Sequence, residues 1–281
     1  MAVNDVAASF RQVNKATAEH LVGPQHTVIR LSQPVPPHAF AAHWLAPGAT
    51  RGLTLQRRKQ LLSLTAASGV LPNLKVALQA AGLVGGVAEA FGAAAGAGQL
   101  STCQWLRDYS RDTEDLRDAC LVGNALVAAA SRGRRHVCEW LLAINRNAPK
   151  DRAVVAAARG GHPDLTEWLL LQQDPPTPTS AADAQFLLIG VAHGCDLAAL
   201  QQAWLRFGLD LSPDQKADVL SSAAGSPTPD WAAKVEWLEA QGAPRNEDAT
   251  AKAAALPDDD GGALARLVWL RAGDTRSMTR R

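Results

Sequence analysis

Four cysteines and seven histidines are the groups in this chain best suited to nucleophilic or metal chemistry. Cys103, Cys120, Cys138 and Cys195 contain no C-x-x-C pair, so neither a zinc ribbon nor a disulfide framework is indicated, and reduced thiols are expected. His193-Gly194-Cys195-Asp196 offers one imidazole, one thiol and one carboxylate in a local turn, too few for a closed metal site. No H-E-x-x-H, G-x-S-x-G, Walker or dinucleotide fingerprint is present. Gly82-Leu83-Val84-Gly85-Gly86 lacks the Lys-Ser/Thr that a phosphate cradle needs and reads as a linker. These residues predict no catalytic residue, no metal and no cofactor.

The marked charge asymmetry is local. Between Arg132 and Arg159 stand seven basic residues (Arg132, Arg134, Arg135, Arg146, Lys150, Arg152, Arg159) against Glu139 and Asp151, a net +5 in a chain whose overall charge is +1. Such a stretch is either solvated surface or the footprint of an acidic partner. The balanced total charge gives no global sign of nucleic-acid or membrane binding.

The elements that position these residues follow from composition and period. The 281 residues include 54 Ala and only three Ile, with 5% aromatics, a balance that favours packed helices over sheets. No apolar run reaches the length of a membrane span, and the first eighteen residues are too polar for a signal peptide, so a cytoplasmic or nuclear protein is expected. Seven of the eight Trp are followed by Leu: Trp44, Trp105, Trp140, Trp168, Trp204, Trp237 and Trp269. With Ala77-Leu78 in the one vacant position, the mean interval is about 32 residues, near a known repeat period. Small-residue pairs keep step: Ala66-Ala67, Ala94-Ala95, Ala129-Ala130, Ala157-Ala158, Val191-Ala192, Ala223-Ala224 and Ala254-Ala255.

Apolar spacing around both markers is helical, as in Val154, Ala157, Ala158, Gly161 and in Val137, Trp140, Leu141, Ile144. Each unit is therefore read as two helices, a first carrying the small pair and a second carrying Trp-Leu, joined by a Gly-containing turn that lengthens toward the C-terminus. The registered Trp are expected in the core, while Trp231, with no Leu after it, falls on a lengthened turn as the one Trp nominated for exposure, with a packing role the preferred reading. In the last three units Gln201, Lys234 and Arg266 stand three before the Trp and interrupt the apolar stripe.

Ala157-Ala158-Arg159-Gly160-Gly161-His162-Pro163-Asp164-Leu165-Thr166-Glu167-Trp168-Leu169-Leu170 resembles the two-helix core of the ankyrin repeat, as does Ala129 to Leu142. The resemblance runs from about Leu61 to Gly273, without the Thr-Pro-Leu-His opening usual in that family. It implies an all-α, ankyrin-type helical-repeat solenoid of about seven two-helix units plus an N-terminal half-unit near His38 to Leu45, preceded by a short extended piece at Thr27 to Leu31. Asn4 to Ala18 is similar to the later helices of an F-box, without the Leu-Pro-containing helix that precedes them there. The domain reading is a helical cap or F-box remnant over 1–30, the repeats over 31–275 and a basic tail over 276–281.

These resemblances imply a monomeric, non-enzymatic scaffold that holds a protein partner, acidic in the matching stretch, on its concave face and inter-repeat loops, with no nucleic acid and no membrane span. Arg132, Arg146, Lys150, Arg152 and Arg159 are the partner-binding candidates, and His162 is expected to bridge neighbouring units. The alternative is a substrate receptor of an F-box-type ubiquitin ligase, and the third reading is a metal-dependent hydrolase such as a phosphodiesterase.

Overall fold

The computed structural model describes residues 3–8, 15–82, 86–110, 118–174, 178, 180–256 and 262–278. Among them the chain is helical and holds no strand. The helices are α1 (Val3–Ala8), α2 (Lys15–His20), α3 (Pro24–Thr27), α4 (Pro37–Trp44), α5 (Leu55–Ser68), α6 (Leu71–Ala81), α7 (Val87–Ala97), α8 (Leu100–Tyr109) and α9 (Ala119–Ala130). They continue with α10 (Arg135–Ile144), α11 (Asp151–Arg159), α12 (Pro163–Leu171), α13 (Ala181–Gly194), α14 (Leu197–Phe207), α15 (Pro213–Ala224), α16 (Trp231–Ala240), α17 (Glu247–Ala254) and α18 (Gly262–Met278). From α5 onward they follow one another in pairs, the first member carrying the small-residue pair. The chain packs as two compact units, one of residues 1–129 and 134–149, the other of 130–133 and 150–281.

In the first unit α5 packs on α6 and α7, α7 on α8, and α4 on α6. Proline opens α4 at Pro37, where its missing N–H has no helical partner to lose. The expected extended piece at Thr27 to Leu31 begins in helix, since Thr27 ends α3, and the residues after it form no strand. Asn4 is fully buried and holds this segment, donating to the carbonyls of Arg30, Gln33 and Pro34 and accepting from Arg30 N–H. Residues 9–14 of the F-box-like phrase, and Leu83-Val84-Gly85 of the linker, lie outside the described residues.

The small pairs have a second use besides close packing. At the end of α7, Gly98 (φ 84°) donates to Ala95 O and Gln99 N–H to Ala94 O, at 3.0 and 2.9 Å. Gly133 and Arg134 repeat the pattern on Ala130 and Ala129, and Gly161 and His162 on Ala158 and Ala157. This is the Schellman closure, in which a left-handed residue turns two orphan carbonyls back into the chain. Glycine is required twice over: a Cβ on Gly98 would meet Arg134 Cδ at 3.0 Å, and one on Gly133 would meet His162 Cε1 at 2.7 Å. His162 thus touches the turn of the preceding pair.

In the second unit α11, α13, α15 and α17 pack one on the next, and α12, α14, α16 and α18 pair with them in turn. Gly190 and Gly194 bring α13 onto the backbone of α11, where a Cβ would meet Val155 O at 3.0 Å and Arg159 O at 2.3 Å respectively. Side-chain caps fix the later helices: Ser212 and Gln215 form a capping box on α15, and Asp196 accepts from Ala199 N–H on α14.

The Trp-Leu pairs divide their roles differently from the core assignment. Leu106, Leu141, Leu169, Leu238 and Leu270 are buried, while their Trp partners are half-buried. Only in α14 is the Trp sealed, Trp204 being 2% exposed and Leu205 70%. Indole is too large for the slot between helices that close on Ala and Leu, so its outer edge stays at the surface. Trp231 begins α16 rather than lying on a turn, and it packs: it is half-buried, with the Arg266 guanidinium 4.5 Å from its ring centre and Trp269 edge-on at 5.1 Å.

Candidate functional site

The basic candidates divide between the two units. Arg146 follows Asn145, the C-cap of α10, and is exposed in the first unit. Arg132, Lys150, Arg152 and Arg159 belong to the second. Lys150 is the half-buried N-cap residue of α11, Arg152 lies in its first turn, and Arg159 closes its last. Arg132 occupies the turn after α9, whose Ser131 carbonyl lies against Gly160 just beyond Arg159.

Helix α11 buries Ala153, Val154, Ala157 and Ala158, which turns Arg152 and Arg159 outward seven residues apart on one face. Between them sit the half-buried Val155 and Ala156. Arg159, at the helix C-terminus, is favoured by the dipole, whereas Arg152, at the N-terminus, opposes it. Arg152 therefore does not owe its place to helix stability. Asp151 beside it is held from α12's end by Gln173, whose Nε2 donates at 2.7 Å.

Phe186 is the residue of this face that the sequence reading missed. It is 58% exposed on α13, one turn before Gly190, where α13 touches Val155 and Arg159. Its helix buries Ala184, Leu187, Leu188, Val191 and Ala192, and Phe186 stands off that stripe, a signal readable from period alone. Beside it Gln185 donates to Asp218 at 2.7 Å and accepts from Gln215 at 3.3 Å, a polar ladder between α13 and α15.

The groups with chemical potential lie elsewhere. Burial pushes the Cys103 and Cys138 thiols up to about 12 and Cys195 up to about 11, so they stay protonated, while Cys120 is exposed. His193 is held below the usual imidazole range, first by burial and then by Arg159, Lys234 and Lys252. Among the described residues no three His, Cys, Asp or Glu side chains converge as metal ligands, and no helix is long and apolar enough to cross a membrane.

Lys234 and Arg266, which the sequence marks only as breaks in the apolar stripe, are structural. The fully buried Lys234 ammonium donates to Ala192 O, Cys195 O and Ser226 Oγ at 2.7, 2.9 and 2.8 Å. Arg266 donates to Ala224 O and Ser226 O at 3.0 and 2.7 Å. Comparison of the chain with protein-family models, with curated proteins and with solved structures finds no match.

Proposed function

We propose that this chain is a non-enzymatic, ankyrin-type interaction module that binds an acidic protein partner on the face of its stacked first helices and on the adjoining loops. The observation that carries the reading is the exposure, on the packed first helices α11 and α13, of the guanidinium groups of Arg152 and Arg159 and of the ring of Phe186. Aromatic anchors bordered by arginines are the composition that protein interfaces favour. Arg132 and Lys150 extend the positive charge at the two ends of α11. Further support for the ankyrin-type arrangement comes from the repeated glycine turns and from the side-chain donors that the small pairs of α5, α11, α13 and α15 receive from the next pair.

The test is capture from extracts of the native cell at low salt, followed by affinity measurement on the captured partner with wild type and with the double variant R152E/R159E. Roughly tenfold or greater weakening is expected, with wild-type affinity falling as salt rises. F186A should weaken binding without that salt dependence. Unchanged affinity in R152E/R159E at low salt would end the assignment.

A further inference from the structure

The second helices of the second unit hold a cleft that the proposed interaction face does not use. It lies between α12 and α14, has a volume of about 430 Å³, and is lined by residues of these two helices with a floor from α13. Its origin is the departure of α14 from the other second helices. There Trp204 takes the buried position and Leu205 turns outward, which directs the indole toward Trp237 of α16, 5.9 Å away and edge-on. Of the α14 residues that line the cleft, Ala199 and Ala203 are small, while Gln202, Arg206 and Phe207 border them. Where two large side chains would otherwise interlock, small ones leave a slot floored by the buried Leu170, Leu187 and Val191 and ended by Phe207.

Across this slot, whose lining also includes the polar Asp164, Thr166 and Gln202, runs one ion pair. Arg206 Nη1 donates to both carboxylate oxygens of Glu167, at 3.0 Å each. The guanidinium lies over Phe207, 4.8 Å from the ring centre, and is 42% exposed. One nitrogen carries the whole contact with Glu167, so the Nε and Nη2 edge, the pair of parallel donors that fits a carboxylate, has no protein acceptor among the described residues. Asp164 also lies at the rim, but in the first turn of α12, where the helix N-terminus offsets its charge. Cys195 Sγ donates to Ala158 O at 3.3 Å and burial keeps it protonated, so the cleft presents no nucleophile.

We infer that this cleft binds a small apolar carboxylic acid, its hydrocarbon body between Ala199, Ala203 and the leucine floor and its carboxylate on the free edge of Arg206. The volume falls within the ~300–1,000 Å³ of small-molecule sites. An apolar body alone would leave the guanidinium edge without a partner, and an anion without a body would leave the slot open.

Octanoate is the probe, followed by titration calorimetry and by the amide shifts of Ala199 and Ala203, which report location. Saturable binding with shifts at those amides is expected, whereas octanol and acetate should each bind at least about tenfold more weakly because each lacks one half of the recognition. R206Q should lose about tenfold or more by removing the charged fork. A203W should abolish binding by filling the slot while Arg206 remains. E167Q should bind octanoate more tightly than wild type, since it releases Arg206 from its internal partner; a merely structural ion pair would not produce that gain. Thermal melts of the three variants establish that each is folded. Absence of saturable octanoate binding, equal binding of octanol, retention in R206Q, or a preference for a peptide with a free C-terminal leucine over octanoate would each overturn the assignment.

Discussion

The ammonium of Lys234 donates to the carbonyl of Ala192, 42 residues earlier, and the guanidinium of Arg266 donates to Ala224 across the same separation of 42. Ala192 and Ala224 are each the second member of a small pair. The same position is reached in other pairs by Gln99 Nε2 on Ala67 O and by Cys195 Sγ on Ala158 O, both at 3.3 Å. In these four first helices the carbonyl end thus receives a donor from the following pair, and a cation supplies it at α13 and α15, where no left-handed glycine closes the turn.

Replacing Lys234 by Met should destabilise the protein by about 3 kcal/mol or more, because two carbonyls and a hydroxyl lose their donor in a buried place. Urea unfolding checks this, and a cost below about 0.5 kcal/mol would show the ammonium to be dispensable. Burial holds Lys234 below its ordinary 10.5. Between its folded value and 10.5 the unfolded chain binds the additional proton, so wild type should gain stability relative to K234M as pH rises through that window.

Trp204→Ala should cost about 3–5 kcal/mol through lost burial and a cavity. Trp140→Ala and Trp168→Ala should cost less, about 1–3 kcal/mol, since those indoles keep an exposed edge. Leu205→Ala should stay within about 0.5 kcal/mol, whereas Leu169→Ala, in the same position of α12, should cost about 2–5 kcal/mol. Chemical unfolding of this series reads the rotation of α14 directly, and equal costs for the two leucines would refute it.

Gly133→Ala should destabilise on two grounds: φ of 67°, which disfavours a Cβ by about 1 kcal/mol, and the approach of that Cβ to His162. Adding His162→Ala should recover the steric part and leave the backbone part. A double-mutant cycle with no coupling would show that the ring does not press on the glycine.

One thiol should react with a disulfide reagent in the native protein, Cys120, and all four after denaturation. Because burial raises Cys103, Cys138 and Cys195 above the ordinary thiol value of 9, the native state retains protons that the unfolded chain gives up. Stability contributed by these thiols should therefore fall as pH climbs above 9, and a variant with Cys103 and Cys138 changed to Ala should show a shallower decline.

The sequence by itself determined that the chain is helical, where first and second helices alternate, and which turns close on glycine. These features depend on local period and backbone freedom, which neighbouring residues carry: Ala157, Ala158 and Gly161 suffice to specify a helix end. The family resemblance added the expectation that His162 bridges neighbouring units, and the fold sets its ring against Gly133. What it left open are relations between residues more than thirty apart. Lys234 breaks an apolar stripe in sequence, yet becomes a fully buried donor because the carbonyls of Ala192 and Cys195, about forty residues earlier, converge on it with Ser226 Oγ from the turn before α16. Trp204 and Trp168 look alike in sequence, but only packing against Trp237 rotates the first into the core and opens a cleft at Ala199 and Ala203. The basic stretch from Arg132 to Arg159 is continuous in the chain, but the fold gives Arg146 to one unit and the other candidates to the second. Side-chain direction depends on which helix arrives opposite, and that is decided by tertiary packing rather than by local period.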